Sequence, residues 1–409
     1  MSVALFWDGS FLFGLMAFWA LKGASIPFDL ITAKDINKDI LEDYDVLFVP
    51  GGWVKEKTGA LGERGKEKIC QFVKDGGNYL GICGGAGLAL KVKRGLSLLG
   101  VERKEEKNLA NFSGRIKIRA VDHPIWSNLS SVSLYIFWPG HFNVLEPDKI
   151  NILAYYDEPE SDFLSADINV NDLSRYGDLK RWEDYYKIRL DPRILKGKPA
   201  ILEGEYGRGK VILSYLHFDT PNDEQGKRVL CNIWQYLSKE KIKRRVVTKP
   251  SISKACLPLV EKLEKELKEF IEFGKRNFLW HWRYPWMLSW RKGIRGFHYT
   301  TLYMLIMEVA KYIKALSDNK EDEDGKEIRE NLERLNKLIP PFLEKARKLL
   351  LKERYLLGLK GLGLIVCDDP EIQDIRDELF GRTISYGGRF KEILGCLDNI
   401  LVPILKAKI

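Results

Sequence analysis

The sequence predicts an open α/β sheet of the doubly wound type, followed by a helical bundle. In the first part of the chain, short apolar runs of strand length alternate with helical periodicity and are separated by glycine-rich turns. After residue 250, apolar residues recur three and four positions apart, as on one face of a helix. A chain of 409 residues that is 45% hydrophobic can fill two separate cores. We therefore expect a mostly parallel α/β domain over residues 1–240, a basic linker over 241–252 and a helical bundle domain over 253–409.

The elements of the first domain can be predicted in order. Apolar runs predict strands over residues 3–7, 28–32, 45–50 and 78–82, with helices over 10–22 and 64–74 between them. Later runs predict strands over 114–120, 133–138 and 150–156, and a hairpin formed by 199–205 and 210–216. Ligands of a doubly wound sheet bind at the carboxyl ends of its parallel strands. We therefore expect a site in the loops that follow Trp7, Pro50 and Ile82.

A polar stretch over residues 157–196 interrupts this pattern. It is longer than an ordinary connection between two elements of a compact domain. Three interpretations remain open, namely a lid over the site, a surface for a partner, and an insertion without function.

The second domain is predicted to contain about five helices. They cover residues 257–273, 299–316, 326–351, 371–379 and 390–404. Between the first two, residues 275–295 hold four tryptophans and six basic residues but no acid, which suits a protein contact, a membrane surface or a single-stranded nucleic acid. Because Pro285 and Gly293 break any long amphipathic helix, a contact with the neighbouring domain, or with a protein partner or second copy of the chain, ranks first, a membrane surface second and nucleic acid third.

Net charge and cysteine usage restrict the class of protein. The formal net charge of +9 is a mild excess, which bears on solubility before it bears on binding. The six cysteines lack the close pairing of a zinc site and the density of a secreted disulfide scaffold, so we expect free thiols, no metal and no cofactor. The apolar run 11–21 follows an acidic residue and a strand-like run, so we interpret it as a buried helix rather than a signal peptide. These features predict a cytoplasmic protein.

Cys83 lies where a predicted strand turns directly into a helix. Glycines surround it, in the sequence GICGGAG, and a strained turn of this kind projects a nucleophile above the sheet. The positive end of the following helix favours a thiolate. Glycine-rich turns also cradle phosphates or simply pack tightly, so the turn alone does not decide for catalysis.

A base and an orienting carboxylate follow on a later strand. His217 and Asp219 are two residues apart, so both side chains leave the strand on the same side. Asp219 can then hold one imidazole nitrogen while the other faces Cys83. The backbone N–H groups of Gly52 and Gly84 are the natural donors for an oxyanion. The conjunction of the cysteine turn with the His-x-Asp strand favours a catalytic interpretation over a structural one.

Five further residues are candidates for shaping a pocket at the same sheet edge. They are Asp8, Gly51, Trp53, Trp138 and His141. For the two tryptophans a structural role ranks first, because residues of this size are mostly buried.

Three segments of the chain resemble a known family. VLFVPGGW, YLGICGGAGLAL and YGRGKVILSYLHFDTP are similar to the domain found at the N-terminus of some eukaryotic biotin-protein ligases and as stand-alone prokaryotic proteins. That domain belongs to the class I glutamine amidotransferase superfamily, so the resemblance implies a flavodoxin-like fold for residues 1–240. It also implies a Cys-His-acid triad of Cys83, His217 and Asp219, with Gly52 and Gly84 at the oxyanion hole.

Two positions depart from the family pattern. Typical amidotransferases have Gln four residues after the nucleophile, where this chain has Gly87, and Glu two residues after the histidine, where it has Asp219. The missing Gln argues against standard glutamine recognition. No ligase-like α/β pattern follows residue 250, so biotin ligation is not expected.

We expect a cysteine-dependent amidase or amidotransferase-like hydrolase that acts on a small-molecule amide or a related acyl substrate. The alternative is a non-catalytic amidotransferase-like module that binds a metabolite, with the helical domain docking a partner protein or a membrane surface. The geometry of the pocket distinguishes the two, because chemistry requires His217 within reach of the Cys83 sulfur.

Overall fold

The computed structural model describes residues 3–104, 112–237, 249–318, 322–359 and 367–407. The chain divides into two compact units, Met1–Arg245 and Val246–Ile409. Of the predicted linker, residues 241–252, residues 241–248 lie outside the described residues.

The first unit is built on one mixed sheet. In chain order, the strands of the unit are β1 Val3–Phe6, β2 Phe28–Ile31, β3 Val46–Val49, β4 Asn78–Ile82, β5 Val101–Arg103, β6 Phe112–Ala120, β7 Ser133–Phe137, β8 Phe142–Val144, β9 Ile150–Pro159, β10 Leu164–Ser165, β11 Ile168–Asn169, β12 Pro199–Tyr206 and β13 Gly209–Ser214. Strands β5 and β8 form a separate antiparallel ribbon. The others lie in the order β11-β10-β6-β9-β12-β13-β4-β3-β1-β2, with β7 beside β6.

The predicted α/β fold class is confirmed, and the sheet has a parallel half and an antiparallel half. Strands β2, β1, β3, β4 and β13 run parallel to one another, as predicted for a doubly wound sheet. All pairings from β13 through β12, β9 and β6 to β11 are antiparallel, so the parallel part is smaller than the sequence suggested. Antiparallel strands need no crossover helix, and this explains the change of pattern after residue 90.

Helices cover the parallel half. The helices of the first unit are α1 Leu12–Gly23, α2 Ala33–Ile36, α3 Val54–Lys74, α4 Gly84–Ala89, α5 Val170–Ser174, α6 Leu179–Tyr186 and α7 Glu224–Leu237. Helix α1 is buried along most of its length and contacts α7, whereas α3 contacts α2 and α4. Helix α3 begins ten residues earlier than the predicted helix 64–74 and is kinked at Gly62, where φ is +59°. Glycines in residues 54–63 lower the helix propensity there, and this explains why the start of the helix was predicted too late.

The sheet register aligns the strand ends from which the candidate site residues come. Val49 of β3 pairs with Gly81 of β4, and Ser214 of β13 pairs with Ile82 of β4. The residues after β1, β3, β4 and β13 therefore meet at one edge, as expected for parallel strands.

The polar stretch over residues 157–196 is an ordered part of the first unit. It contains the β10–β11 hairpin and helices α5 and α6, and β10 adds to the sheet beside β6. Ser165, which is fully buried, donates a hydrogen bond to the backbone oxygen of Arg189 at 2.6 Å. These contacts extend the antiparallel half of the sheet.

The second unit is a helical bundle with a few short strands. Its helices are α8 Cys256–Arg276, α9 Gly296–Leu316, α10 Glu323–Leu359, α11 Pro370–Phe380 and α12 Gly388–Lys406, and its strands are β14 Ile252–Ser253, β15 Trp280–Tyr284, β16 Met287–Trp290 and β17 Ser317–Asp318. Helix α10 packs on α8, α11 and α12. The five predicted helices are present, and the strands are small departures from an all-α domain.

The tryptophan-rich segment forms the β15–β16 hairpin. Trp280 is buried, and its indole N–H donates to the backbone oxygen of Ile271 at 3.0 Å. A Cβ added to Gly274 would lie 2.0 Å from the Trp280 ring, and one added to Gly296 would lie 2.3 Å from the Trp290 ring. At least these two of the four tryptophans therefore pack inside the unit. Among the described residues, no helix combines the length and apolar composition needed to cross a membrane.

Candidate active site

Cys83 occupies a strained turn between β4 and α4. Its φ is +52° and its ψ −107°, a conformation that L residues rarely adopt. The turn is fixed by a hydrogen bond of 2.7 Å from the Cys83 backbone N–H to the oxygen of Ser214. A Cβ on Gly84 would lie 1.9 Å from the Gly52 oxygen, and one on Gly85 would lie 1.8 Å from the Val49 oxygen. The glycines are thus required by the close approach of the β3 and β4 loops.

His217 and Asp219 form a buried pair next to this turn. His217 Nδ1 lies 2.9 Å from Asp219 Oδ1, and both side chains are fully buried. The His217 backbone N–H donates to the Tyr135 oxygen at 2.7 Å. The imidazole stacks on the Phe13 ring at 5.0 Å between centroids and meets the Phe137 ring edge at the same distance. These contacts hold the ring in one orientation.

The electrostatics of the cluster favour an ion pair between sulfur and imidazole. Burial alone lowers the pKa of His217, but the Asp219 carboxylate and the Cys83 sulfur outweigh burial and raise that pKa to about 9. Burial raises the pKa of the Cys83 thiol, yet His217 and, to a smaller extent, Arg103 bring it below its ordinary value. Because Asp219 holds Nδ1, Nε2 is the imidazole nitrogen left to exchange a proton with Cys83 or a substrate.

The backbone N–H groups of Gly52 and Gly84 lie at the same sheet edge. Gly52 has a φ of +117°, and a Cβ there would lie 2.2 Å from the Gly9 oxygen. The Trp53 N–H donates to that same oxygen at 3.2 Å, so the β1 and β3 loops are packed together. Within the described ranges, no backbone acceptor pairs with the N–H of Gly52 or Gly84. Both donors thus remain open to a ligand.

Asp8, Gly51 and Trp53 lie in the β1 and β3 loops. Asp8 Oδ2 accepts a hydrogen bond of 2.8 Å from the Ala33 N–H, and burial raises the pKa of this carboxyl. A Cβ on Gly51 would lie 2.8 Å from the Phe13 ring, which itself stacks on His217. Trp53 is the residue before helix α3. These residues shape the β1 and β3 loops beside His217.

Trp138 and His141 lie in the loop between β7 and β8. Trp138 has a φ of +49°, and His141 is buried. The His141 backbone oxygen accepts a hydrogen bond of 3.3 Å from the Lys104 N–H. The loop thereby borders Arg103, one of the charges that act on Cys83.

Lys57 is a residue of the site that sequence reasoning missed. It is completely buried near the start of α3, and its ammonium group is hydrogen-bonded to Ser10 Oγ and to the Asp8 backbone oxygen, the latter at 3.4 Å. Burial lowers the pKa of Lys57 to about 7, although the charges of Asp8 and Cys83 oppose that lowering. Among the described residues, no carboxylate oxygen lies within 4 Å of its amine nitrogen. A lysine in a polar helix start gave no sequence signal of burial.

Arg103 and Tyr215 were also missed. The Arg103 guanidinium carbon lies 5.8 Å from the centre of the Tyr215 ring. Burial raises the pKa of Tyr215, and the Cys83 charge adds to that rise. The spacing of Tyr215, His217 and Asp219 at alternate positions was a signal that could have identified the tyrosine. No group of three or more His, Cys, Asp or Glu residues suited to a metal occurs within the described residues.

Comparison with known families identifies part of the first unit. Residues 29–117 match the family described as "Biotin-protein ligase, N terminal". The family resemblance is confirmed over this segment. The segment includes all of β2 except its first residue, β3, β4, Gly52 and the Cys83 turn, whereas His217 and Asp219 lie outside it. No curated protein matches the chain.

Several solved structures are similar to the chain in fold. A Thermoplasma acidophilum protein, described as belonging to a GMP synthase, is 14% identical, with a TM-score of 0.37 over 58% of this chain and 94% of that one. A ThuA-like protein of Bacteroides uniformis is 12% identical, with a TM-score of 0.39 over 59% and 92%. A glutamine amidotransferase of Thermotoga maritima is 15% identical, with a TM-score of 0.33 over 58% and 99%. Values this low transfer neither a substrate nor a residue role.

Proposed function

We propose that the first unit is a cysteine-dependent amidase or amidotransferase-like hydrolase. Cys83 is the nucleophile, His217 the general base and acid, and Asp219 the group that orients the imidazole. The N–H groups of Gly52 and Gly84 hold the oxyanion. The observation that carries this proposal is the buried His217–Asp219 pair beside the strained Cys83 turn, where His217 lowers the pKa of the Cys83 thiol.

The reaction proceeds through an acyl-enzyme. The Cys83 sulfur attacks the carbonyl carbon, a C–S bond forms, and the thiol proton resides on His217 Nε2. That proton passes to the nitrogen of the leaving amine as the C–N bond breaks, which leaves a thioester on Cys83. Water then loses a proton to His217 and cleaves the C–S bond, so that a carboxylic acid is released and the thiol is restored.

The surroundings of Gly87 bear on which amide is used. A Cβ at position 87 would lie 2.9 Å from Val54 Cγ2, so a longer side chain requires Val54 to move. Position 87 is where typical amidotransferases of the resembling superfamily carry Gln. The site therefore supports amide chemistry but not standard glutamine recognition.

The test is the pH dependence of Cys83 alkylation by iodoacetamide, located by peptide mass spectrometry. The wild-type rate should follow a pKa below 9, the ordinary value of the thiol, and His217→Gln should raise that pKa. Cys231 in the same molecule is an internal control, because burial raises the pKa of its thiol. Cys83→Ala should abolish ammonia release from any amide that the wild-type protein hydrolyses.

A different result would favour the alternative. If Cys83 has an ordinary thiol pKa that does not respond to His217→Gln, the pair is not coupled. The first unit would then be better described as a non-catalytic module that binds a metabolite.

A further inference from the structure

A second group of polar side chains borders the Cys83 site. Strands β5 and β8 pair with Arg103 opposite Phe142, and the Phe142 ring lies 4.4 Å from the Tyr215 ring. A Cβ on Gly140 would lie 3.0 Å from both Arg103 Nε and Tyr215 Cζ. The turn at Gly140 is fixed because the Tyr156 hydroxyl donates to the Gly140 oxygen at 2.8 Å. The absence of a side chain at Gly140 thus lets the arginine and the tyrosine lie against the loop backbone.

The Tyr215 hydroxyl is a buried polar group that lacks a protein partner. Tyr215 is only 3% exposed, and its oxygen makes no hydrogen bond within the described ranges. A buried hydroxyl without a partner is costly, so such groups in native proteins require an explanation. A bound ligand supplies one here, because Tyr215 directly follows Ser214, whose backbone oxygen accepts the 2.7 Å hydrogen bond from the Cys83 N–H.

Arg103 supplies a positive charge at the same place. Its side chain is exposed, and no carboxylate lies within 4 Å of it in the described part of the chain. Its charge acts on the Cys83 thiol. The planar guanidinium presents a fork of donors that matches a carboxylate.

We propose that Arg103 and Tyr215 bind a carboxylate of the substrate whose acyl carbon is attacked by Cys83. This inference rests on the proposed function and adds to it the substrate class, an amide with net negative charge such as a dicarboxylic acid monoamide. One guanidinium and one hydroxyl suit a single negative charge.

The test compares two alkylating agents of similar shape in the full-length protein. Iodoacetate carries a carboxylate, whereas iodoacetamide is neutral. We define the ratio as the rate with iodoacetate divided by the rate with iodoacetamide, both at Cys83. This ratio should be higher in the folded wild type than in the protein unfolded in urea. Using the ratio cancels any change in thiolate content, because both agents react with the same thiolate.

Three variants separate the contributions. Arg103→Gln should lower the ratio by about tenfold or more, as expected for a lost charge-assisted hydrogen bond. Tyr215→Phe keeps the ring and should lower the ratio by a smaller factor. Arg119→Gln is the matched control and should leave the ratio unchanged. Arg119 is also exposed, and its guanidinium carbon lies 4.2 Å from the centre of the Tyr155 ring, but its charge is not among those that act on Cys83.

Glutarate should also slow the iodoacetamide reaction in the wild type but not in Arg103→Gln. Equal protection by phosphate would overturn the assignment to a carboxylate. If Cys83 reacts rapidly with iodoacetamide but the ratio does not respond to Arg103→Gln, the subsite is wrong and the proposed function stands. If Cys83 reacts no faster with either agent than in the unfolded protein, the proposed function fails, and this inference fails with it.

Discussion

Replacing Lys57 with methionine should stabilise the protein at neutral pH. The pKa of this buried amine is about 7 against an ordinary value of 10.5. Each pKa unit corresponds to 1.36 kcal/mol, so keeping Lys57 in the folded state costs about 5 kcal/mol at pH 7 or below. Methionine has a similar shape and no charge, and it loses hydrogen bonds worth about 1 to 2 kcal/mol in total. Lys57→Met should therefore be more stable by about 3 kcal/mol at pH 7.

The pH dependence has a definite sign. Because the folded state binds fewer protons at Lys57 than the unfolded state between pH 7 and 10.5, wild-type stability gains from this residue as the pH rises through that window. The advantage of the methionine variant should therefore shrink above pH 7 and reverse at about pH 9, where the remaining cost equals the lost hydrogen bonds.

Urea denaturation at several pH values measures this difference. Lys55→Met is a matched control on the same helix, since Lys55 is exposed and its replacement should change the free energy of unfolding by less than about 0.5 kcal/mol. If Lys57→Met is less stable than the wild type at pH 7, the amine is a net stabilising group and the reasoning from burial is refuted.

Three further substitutions test the site and the second unit. Asp219→Asn should lower the pKa of His217 from about 9, and an NMR titration that shows no change would contradict this. The variant should also lose the stability that the pair contributes in full below pH 6.5 and that the wild type loses as the pH rises through 9. Gly84→Ala places a methyl carbon 1.9 Å from a backbone oxygen, so wild-type thermal stability and alkylation rate in this variant would contradict the close packing of the loops. Glu353→Ala removes the carboxylate 2.7 Å from buried Arg376 and should cost about 3 to 5 kcal/mol in urea denaturation; a cost below about 1 kcal/mol would show that the arginine finds another partner.

The parallel strands and the five main helices of the second unit could be predicted because their apolar periodicity is local. Strand β4 was predicted with its observed bounds, Asn78–Ile82, since an apolar run ends there at the glycine-rich turn. The antiparallel half was predicted less completely. Strands β5, β8, β10 and β11 have two or three residues each, too few to show alternation.

Within the candidate site, the sequence indicated residues whose type and spacing suggest chemistry and missed those that require tertiary structure. Cys83, His217 and Asp219 lie in a turn and a strand end that can be recognised locally. Lys57 could not be recognised, because lysine is almost always exposed and a polar helix start predicts a solvated face. Arg103 was missed because its position beside Tyr215 depends on the pairing of β5 with β8.

The burial of Lys57 also points to a functional role. Side chains that lower stability in their native position are expected most often at functional sites. Lys57 contacts Ser10 and the Asp8 backbone in the β1 loop, which in turn packs on the loop of Gly52. It therefore helps to position the loop that carries one of the proposed oxyanion donors.

Sheet register is the property that connects this fold to its proposed chemistry. The nucleophile and the base come from neighbouring strands, β4 and β13, whose last paired residues are Ile82 and Ser214. The hydrogen bond from the Cys83 N–H to the Ser214 oxygen continues that ladder into the turn. A slip of one residue would move His217 to the opposite face of the sheet, because side chains alternate between faces. The β12–β13 hairpin prevents such a slip, since its six paired residues and its short turn fix where β13 begins. The turn of this hairpin, at the opposite end of β13 from Ser214, thus fixes the register that places His217 beside the Cys83 turn.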